Sequence, residues 1–223
     1  MCAESLPWFK SYFTGRRQFE HIDSQPSEEL VITSGVPQGS IFVPLLFIVY
    51  INDLPRCVKH CFVNMWADDT VLYLAGPTAH NLIFNINQDL QRLSELLEDD
   101  NLVLSVSKTK CLLFTSQRHE ERDCNLNPNL LGKPISCKTA FKNLGVVFDG
   151  FMTYKAHADY VRKKVASRVS ILGRVRGFVI EEAATLVRNT LILPLFDYCV
   201  IAWSNLLQQD IDRLQEGLNG VNR

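Results

Sequence analysis

The chain has 223 residues, of which 47% are hydrophobic, and its 23 Lys and Arg residues nearly balance 24 Asp and Glu residues. This composition excludes an intrinsically disordered chain, because the apolar content is high and the formal net charge is only −1. The seven cysteines are an odd number and too few for a disulfide-rich scaffold, so we expect reduced thiols in an intracellular protein.

The first third of the chain predicts a short helix, two strands and an apolar helix. Aromatic residues spaced through 6–14 indicate the short helix, which is expected to end at Gly15. Two strands are predicted over 19–22 and 29–33, on either side of a polar turn. The apolar helix that follows runs to Asn52 and is apolar nearly all round, which predicts that it is buried.

A loop of sequence SGVPQGS, residues 34–40, precedes the apolar helix. Ser40 is expected to cap that helix, and Pro44 is tolerated in its first turn because the missing N–H has no intrahelical partner there. Glycines allow a ligand close to the backbone, and a helix N-terminus favours an anion. Gln38 can both donate and accept hydrogen bonds. An ordinary capped turn accounts for the same pattern equally well.

No segment predicts a membrane span. The longest apolar run, residues 41–51, has 11 residues and contains Pro44, whereas a transmembrane helix needs about 20. The first residues also lack the charged start and apolar run of a signal peptide. We therefore expect an intracellular location, in the nucleus or the cytoplasm.

Two apolar runs, 61–66 and 70–74, predict a hairpin that carries Asp68 and Asp69 at its tip. Strands of this composition are expected to lie in a core, so charges beside them call for an explanation. Paired carboxylates can hold Mg²⁺. A polar hairpin turn is the alternative, because the chain contains a second adjacent pair, Asp99-Asp100, at the predicted end of a helix.

The remaining sequence changes from mixed strands and helices to helices alone at about residue 150. An amphipathic helix is indicated by leucine and isoleucine at spacings of three and four over 82–97. Further predicted strands span 102–106, 111–115 and 144–148, with a polar excursion over 117–134. The predicted helices after residue 150 span 155–176, 180–203, with a kink at Pro194, and 207–218.

The balanced total charge conceals a basic helix. Residues 1–150 carry a net charge of −4 and residues 151–223 a net charge of +3. Within 155–176 there are seven basic residues and one acidic residue, Asp159. Such a helix can track a nucleic-acid backbone, and a solvated face on a core helix is the alternative.

Taken together, these motifs resemble the reverse transcriptase of non-LTR (LINE-like) retrotransposons over nearly the whole chain. The loop and helix SGVPQGSIFVPLLFIVYINDLP and the hairpin WADDTVLYLAG carry the strongest likeness. The other similar segments are WFKSYFTGRRQ, NLVLSVSKTKCLLF, FKNLGVVFDGFMTYKAHADYVRKK and LPLFDYCVIAW.

The resemblance implies an α+β fold, a partial polymerase palm with an antiparallel sheet, packed helices and a catalytic-type hairpin, followed by an all-helical thumb-like region. It places the palm at 1–150 and the thumb-like region at 151–223. It also leads us to expect that this chain lacks the fingers and the strand that bears the first catalytic aspartate.

Position by position, the resemblance implies roles for ten residues. Asp68 and Asp69 correspond to the metal-binding aspartates of the palm. Lys108 corresponds to the residue thought to protonate the leaving pyrophosphate, with Lys110 as the alternative. The other implied positions are Pro37, Gln38 and Gly39 beside the incoming nucleotide, and Arg162, Lys163, Lys164 and Arg168 along the primer–template backbone.

The implied reaction is two-metal nucleotidyl transfer with Mg²⁺, an RNA template, a DNA primer and deoxynucleotide triphosphates. Departures from the family pattern, among them Trp66 in place of tyrosine and Val43 in place of glycine, together with the expected missing strand, predict that this chain is not catalytically competent by itself. The alternatives are a non-catalytic remnant that binds RNA or DNA through its basic helix, and a poorly folded product without a role.

Overall fold

The computed structural model describes residues 5–33, 35–36, 39–115 and 127–221. It divides the chain into two compact units, Met1–Tyr73 and Leu74–Arg223. The elements of the first unit are α1 (Ser5–Phe13), β1 (Arg17–Gln18), β2 (His21–Ile22), β3 (Gln25–Pro26), β4 (Leu30–Val31), α2 (Val43–Tyr50), α3 (Leu54–Cys57), β5 (Phe62–Trp66) and β6 (Asp69–Tyr73).

Short antiparallel ladders connect the strands of the first unit. Strand β1 pairs with β4 and β2 pairs with β3, so the two predicted strands form one nested hairpin. Its two-residue turn, Asp23-Ser24, has positive φ at both residues, as a type I′ turn requires. The longer β5–β6 hairpin was predicted from sequence and is confirmed.

Helix α2 is largely exposed, so the expectation of a buried helix is wrong. Leu45, Ile48 and Val49 expose 56%, 57% and 56% of their surface, while Leu46 and Phe47 are half-buried. A helix that is apolar on every side is buried only where other elements cover every side. Among the described residues of this unit, one side of α2 is covered in part and the others remain open.

The second unit begins with a long helix and ends in a helical region. Helix α4 is confirmed as amphipathic, with Leu90, Leu93 and Leu97 buried, and the Thr78 hydroxyl caps its start by accepting from the Asn81 N–H. The elements are α4 (Ala79–Asp99), β7 (Cys111–Leu112), β8 (Asn129–Leu130), β9 (Lys133–Pro134), β10 (Cys137–Lys138), β11 (Ala140–Asn143), β12 (Val146–Asp149), α5 (Lys155–Val175), α6 (Glu181–Val187), α7 (Pro194–Asp197) and α8 (Gln208–Val221).

Two predicted features of this unit are wrong. The segment 102–106 is not a strand, because the chain closes a turn in which the Lys108 N–H donates to the Ser105 carbonyl at 3.1 Å. Strand β7 has no partner in that segment and pairs in parallel with β10, which lies about 25 residues later in the chain. The single kinked helix predicted over 180–203 is divided into α6, a π-helical turn, α7 and a 3₁₀ turn, with Pro194 as the first residue of α7, where proline loses no hydrogen bond.

The core of the second unit lies where α5 packs against α8 and the β11–β12 hairpin. Ala158, Val161 and Val165 recur on one face of α5 and are at least 95% buried. The cluster consists of Val146, Tyr154, Ala158, Val161, Val165, Ile192, Trp203, Leu206 and Leu214. The hairpin before residue 150 and the helices after it therefore share one core, and the division into a palm at 1–150 and a thumb-like region at 151–223 stays a prediction.

A buried histidine lies within this core. His157 is 2% exposed, its Nδ1 accepts the Val147 N–H at 3.2 Å, and its ring meets that of Trp203 edge-on at 5.2 Å. Nδ1 must be unprotonated to accept this bond. Burial, and then the nearby Lys142 charge, lower the pKa of His157 below its usual 6.5.

We expect acid to destabilise this core through His157. Because its pKa is lower in the folded state, the unfolded chain binds more protons just below pH 6.5, and the free energy of unfolding falls as pH drops through that window by at most about 1.4 kcal/mol per unit. Thermal melts at pH 7.5 and 5.5 measure the loss. His157→Gln should make stability depend less on pH, whereas His80→Gln, at an exposed site, should leave that dependence unchanged. If stability varied with pH equally in both variants, His157 would not be the group responsible.

The architecture is α+β, with helices and small sheets that are mostly antiparallel. From Lys155 to Val221 the regular elements of the described chain are all helical. Across the described residues, none of the helices combines the length and the hydropathy that a bilayer crossing requires.

Candidate functional site

The carboxylate hairpin, β5 and β6 with the turn between them, sets the positions of Asp68 and Asp69. Strand register runs from Phe62 opposite Tyr73 to Trp66 opposite Asp69, which leaves Ala67 and Asp68 as a two-residue turn. Ala67 has φ of +54°, the sign that the favoured two-residue hairpin turns require at their first central position. Asp68 therefore lies in the turn and Asp69 begins β6, and both side chains are exposed.

The two faces of the carboxylate hairpin differ in composition and in how far they are buried. Because strand side chains alternate, Asp69 shares a face with Phe62, Trp66 and Tyr73. These three aromatic residues are 63%, 70% and 53% exposed, and the Phe62 and Tyr73 rings stack at 5.3 Å. On the opposite face, Val63, Met65 and Leu72 are half-buried and Thr70 is exposed. The expectation that both strands lie in a core is wrong for the aromatic face, which is open in the described first unit.

The glycine loop is tied to helix α1. The Tyr12 hydroxyl donates to Ser40 Oγ at 2.6 Å, and Ser40 Oγ also accepts the Phe42 N–H at 3.4 Å. The N-cap position of α2 is Phe42, so the prediction that Ser40 caps the helix is wrong. Gly39 has φ of +83°, which favours glycine.

Two of the nucleotide-side residues implied by the family resemblance, Pro37 and Gln38, lie outside the described residues. Of the three residues, the structure describes Gly39. The roles of Pro37, Gln38 and Gly39 beside a nucleotide stay predictions.

The two lysines considered for proton donation differ in their contacts. Lys110 Nζ donates to the Ser107 carbonyl at 2.6 Å, whereas Lys108 is exposed in the turn. No hydrogen bond or ion pair of the Lys108 ammonium is found among the described residues. Lys110 thus has a contact within its own turn, and the role of either lysine in proton donation stays a prediction.

Helix α5 uses its basic residues in different ways. Arg168 donates to the Leu191 carbonyl and so links α5 to the π-helical turn that spans residues 188–192. Arg162 pairs with Asp159 at 3.5 Å on the exposed face. Lys163 and Lys164 are exposed. Of the four predicted backbone-binding residues, Arg168 thus has a structural role within the unit.

The donor set of the carboxylate hairpin fits a hard divalent cation. Asp68 and Asp69 offer carboxylate oxygens, and Mg²⁺ is usually held by one or two carboxylates while water and phosphate complete its shell. Within the described ranges there is no group of three or more His, Cys, Asp and Glu side chains that could hold a metal ion. The described residues therefore offer two adjacent carboxylates rather than a closed protein cage.

Comparison with known proteins identifies the family. The profile of the reverse transcriptase (RNA-dependent DNA polymerase) family matches residues 1–148, which include the glycine loop, the carboxylate hairpin and Lys108. The chain belongs to the reverse transcriptase family. No solved structure gives a significant match to it.

The related reverse transcriptases come from non-LTR elements. The chain is 26% identical to the probable RNA-directed DNA polymerase from transposon X-element of Drosophila melanogaster, over 97% of this chain and 25% of that protein. It is 23% identical to the RNA-directed DNA polymerase from mobile element jockey of the same species (72% and 18%). It is 27% identical to the Pol polyprotein from type-1 retrotransposable element R1 of Bradysia coprophila (74% and 16%).

The chain is thus a reverse transcriptase domain of the non-LTR retrotransposon type, as its motifs predicted. It spans a quarter or less of the length of these three relatives. The basic helix α5 lies beyond the part matched by the family profile and within the range aligned to the X-element protein.

Proposed function

We propose that this chain supplies the carboxylate hairpin and the basic helix of an RNA-directed DNA polymerase that acts inside the cell. Its ligands would be an RNA template, a DNA primer and deoxynucleotide triphosphates. The observation that carries the proposal is the adjacent Asp68 and Asp69 at an exposed two-residue turn, within the segment that the family profile matches.

Asp68 and Asp69 would hold Mg²⁺, and Lys108 would donate a proton to the leaving pyrophosphate. When bound, the ion neutralises charge on phosphate oxygens during nucleotidyl transfer. The two carboxylates would position the ion at the turn. Gly39, with Pro37 and Gln38, would lie beside the nucleotide, where a glycine backbone permits close approach.

The exposed basic face of α5 would bind the nucleic-acid backbone. Arg162, Lys163 and Lys164 lie on solvent-facing positions of α5, while the opposite face of the helix is buried in the core. Positive side chains on a rigid helix attract phosphates regardless of base sequence. Arg168 would support this face by fixing α5 against the segment that carries Leu191.

By itself, the chain would bind nucleic acid and one divalent ion without extending a primer. Two Mg²⁺ ions carry four positive charges, whereas the carboxylate hairpin offers two negative charges. The described residues contain no third ligand grouped with them. A second ion would therefore depend on nucleotide phosphate and water for most of its ligands, and the two hairpin carboxylates would not hold both ions.

The test is binding and extension by the full chain on one labelled RNA–DNA primer–template. We expect affinity that falls steeply as KCl rises, because each phosphate contact releases counterions, and no extended product with Mg²⁺ and all four nucleotides. Arg162→Gln/Lys163→Gln should bind more weakly, and Lys59→Gln/Lys133→Gln serves as the charge-matched control. Primer extension by the chain alone would contradict the proposal that it is not catalytic by itself. Binding that does not depend on salt would contradict the proposal that α5 binds the phosphate backbone.

A further inference from the structure

A lysine of the β11–β12 hairpin meets a tyrosine of the basic helix. Lys142 Nζ donates to the Tyr160 hydroxyl oxygen at 2.8 Å. The ammonium groups of Lys142 and Lys164 lie 4.8 and 4.9 Å from the centroid of the Tyr160 ring. Hydrogen bonds from Lys142 and then from Lys164 lower the pKa of the Tyr160 hydroxyl. Two positive charges therefore lie beside one phenol ring.

The positive charge of this cluster has no acidic partner in the part of the chain that the structure describes. None of the ion pairs found there includes Lys142 or Lys164. Two ammonium groups beside the same ring repel each other, and an anion placed between them relieves the repulsion. The surface around Tyr160 is thus suited to an anionic ligand.

The cluster is held in place by packed elements. Tyr160 is half-buried, and its ring stacks on that of His157, whose side chain lies in the core. The backbone of Lys142 is held by the β11–β12 register, in which it lies opposite Val147, and its ammonium is held by the hydrogen bond to Tyr160. A site that is already arranged loses less conformational entropy when its ligand binds.

We propose that Lys142, Tyr160 and Lys164 bind one backbone phosphate of a nucleic acid. The inference rests on the proposed function, in which α5 faces nucleic acid, and it adds a residue from outside that helix. The Tyr160 oxygen accepts from Lys142, which leaves the hydroxyl hydrogen free to donate, and both ammonium groups keep unused donors. A phosphodiester can accept from the hydroxyl and an ammonium at once, and such contacts carry no base preference.

The test measures fluorescence anisotropy of a labelled RNA–DNA hybrid with the full chain over a series of KCl concentrations. We expect the double variant Lys142→Gln/Lys164→Gln, which removes both charges from the one phosphate, to reduce the slope of log affinity against log salt by about 0.9. Each single variant should reduce the slope by less. Tyr160→Phe should weaken binding while leaving the slope unchanged, because no charge is lost. Lys133→Gln, an exposed position on β9, is the matched control and should keep the wild-type slope. Lys142→Arg, which keeps the positive charge, should also keep the wild-type slope.

The outcomes separate the two proposals. A wild-type slope in Lys142→Gln/Lys164→Gln, with normal binding by the wild-type chain and weaker binding by Arg162→Gln/Lys163→Gln, would overturn the phosphate site and leave the proposed function standing on Arg162 and Lys163. A wild-type chain that does not bind the hybrid at low salt would overturn both. Melting curves of each variant exclude a loss of folding as the cause, and a reduced slope with an unchanged melting temperature supports the site.

Discussion

Replacing both hairpin carboxylates, as Asp68→Asn/Asp69→Asn, is expected to weaken divalent-ion binding by more than about tenfold. The amide keeps the size of the side chain but removes the negative charge on which the affinity of a hard cation depends. Mn²⁺, titrated into the full chain and followed by electron paramagnetic resonance, reports bound and free ion directly. We expect about one ion per wild-type chain at saturation, because two carboxylates balance one divalent charge.

The chain contains its own control for this experiment. Asp99 and Asp100 are a second adjacent pair, at the end of α4, and Asp99→Asn/Asp100→Asn makes the same change in net charge. This variant should bind Mn²⁺ as the wild type does. Equal affinity in the Asp68/Asp69 variant, or an equal loss in the Asp99/Asp100 variant, would show that the hairpin is not the metal site.

Asp149→Ala is expected to lower the free energy of unfolding by about 3 kcal/mol, since a carboxylate that accepts several hydrogen bonds is lost. The Asp149 carboxylate accepts the Tyr154 N–H at 2.7 Å, the Thr153 N–H at 3.0 Å and the Phe151 N–H at 3.1 Å. It thereby holds the turn that leads from β12 into α5, in which Met152 and Tyr154 have positive φ. A negative charge at the start of a helix is also favourable.

Chemical denaturation of the two variants Asp149→Ala and Asp149→Asn tests this prediction. Asn retains one oxygen that can accept the Phe151 and Thr153 N–H groups, so it should recover part of the lost stability. An equal slope of the unfolding free energy against denaturant concentration would show that both variants expose the same amount of surface on unfolding. An Ala variant within about 0.5 kcal/mol of the wild type would mean that the carboxylate does not hold this turn.

The pattern of local sequence determined the elements that matter most for the site. The apolar runs on either side of the Ala67-Asp68 turn predicted the carboxylate hairpin, and leucine spacing predicted α4. The length and charge of α5 were also evident, because helix periodicity and basic residues are properties of one continuous segment. The family resemblance rested on the same contiguous motifs and is confirmed.

Sequence reasoning missed the features that depend on distant partners. Strand β11 and its residue Lys142 escaped notice, although the strand predicted over 144–148 needed a partner. The Leu144-Gly145 turn gave little signal, because leucine rarely adopts the positive φ found there. The parallel pairing of β7 with β10 joins segments separated by a polar excursion. Such pairings are not encoded within a single window of sequence, because they depend on which chain segments meet.

The sequence by itself therefore determined the hairpin, the main helices, the reverse transcriptase family and the basic charge of α5. Only the tertiary structure decided which surfaces are covered and which charges are available. It left α2 exposed despite its apolar composition, directed Arg168 to a backbone carbonyl, and brought Lys142 to Tyr160. The physical reason is that periodicity and turns act between neighbours in the chain, whereas burial and charge pairing depend on neighbours in space.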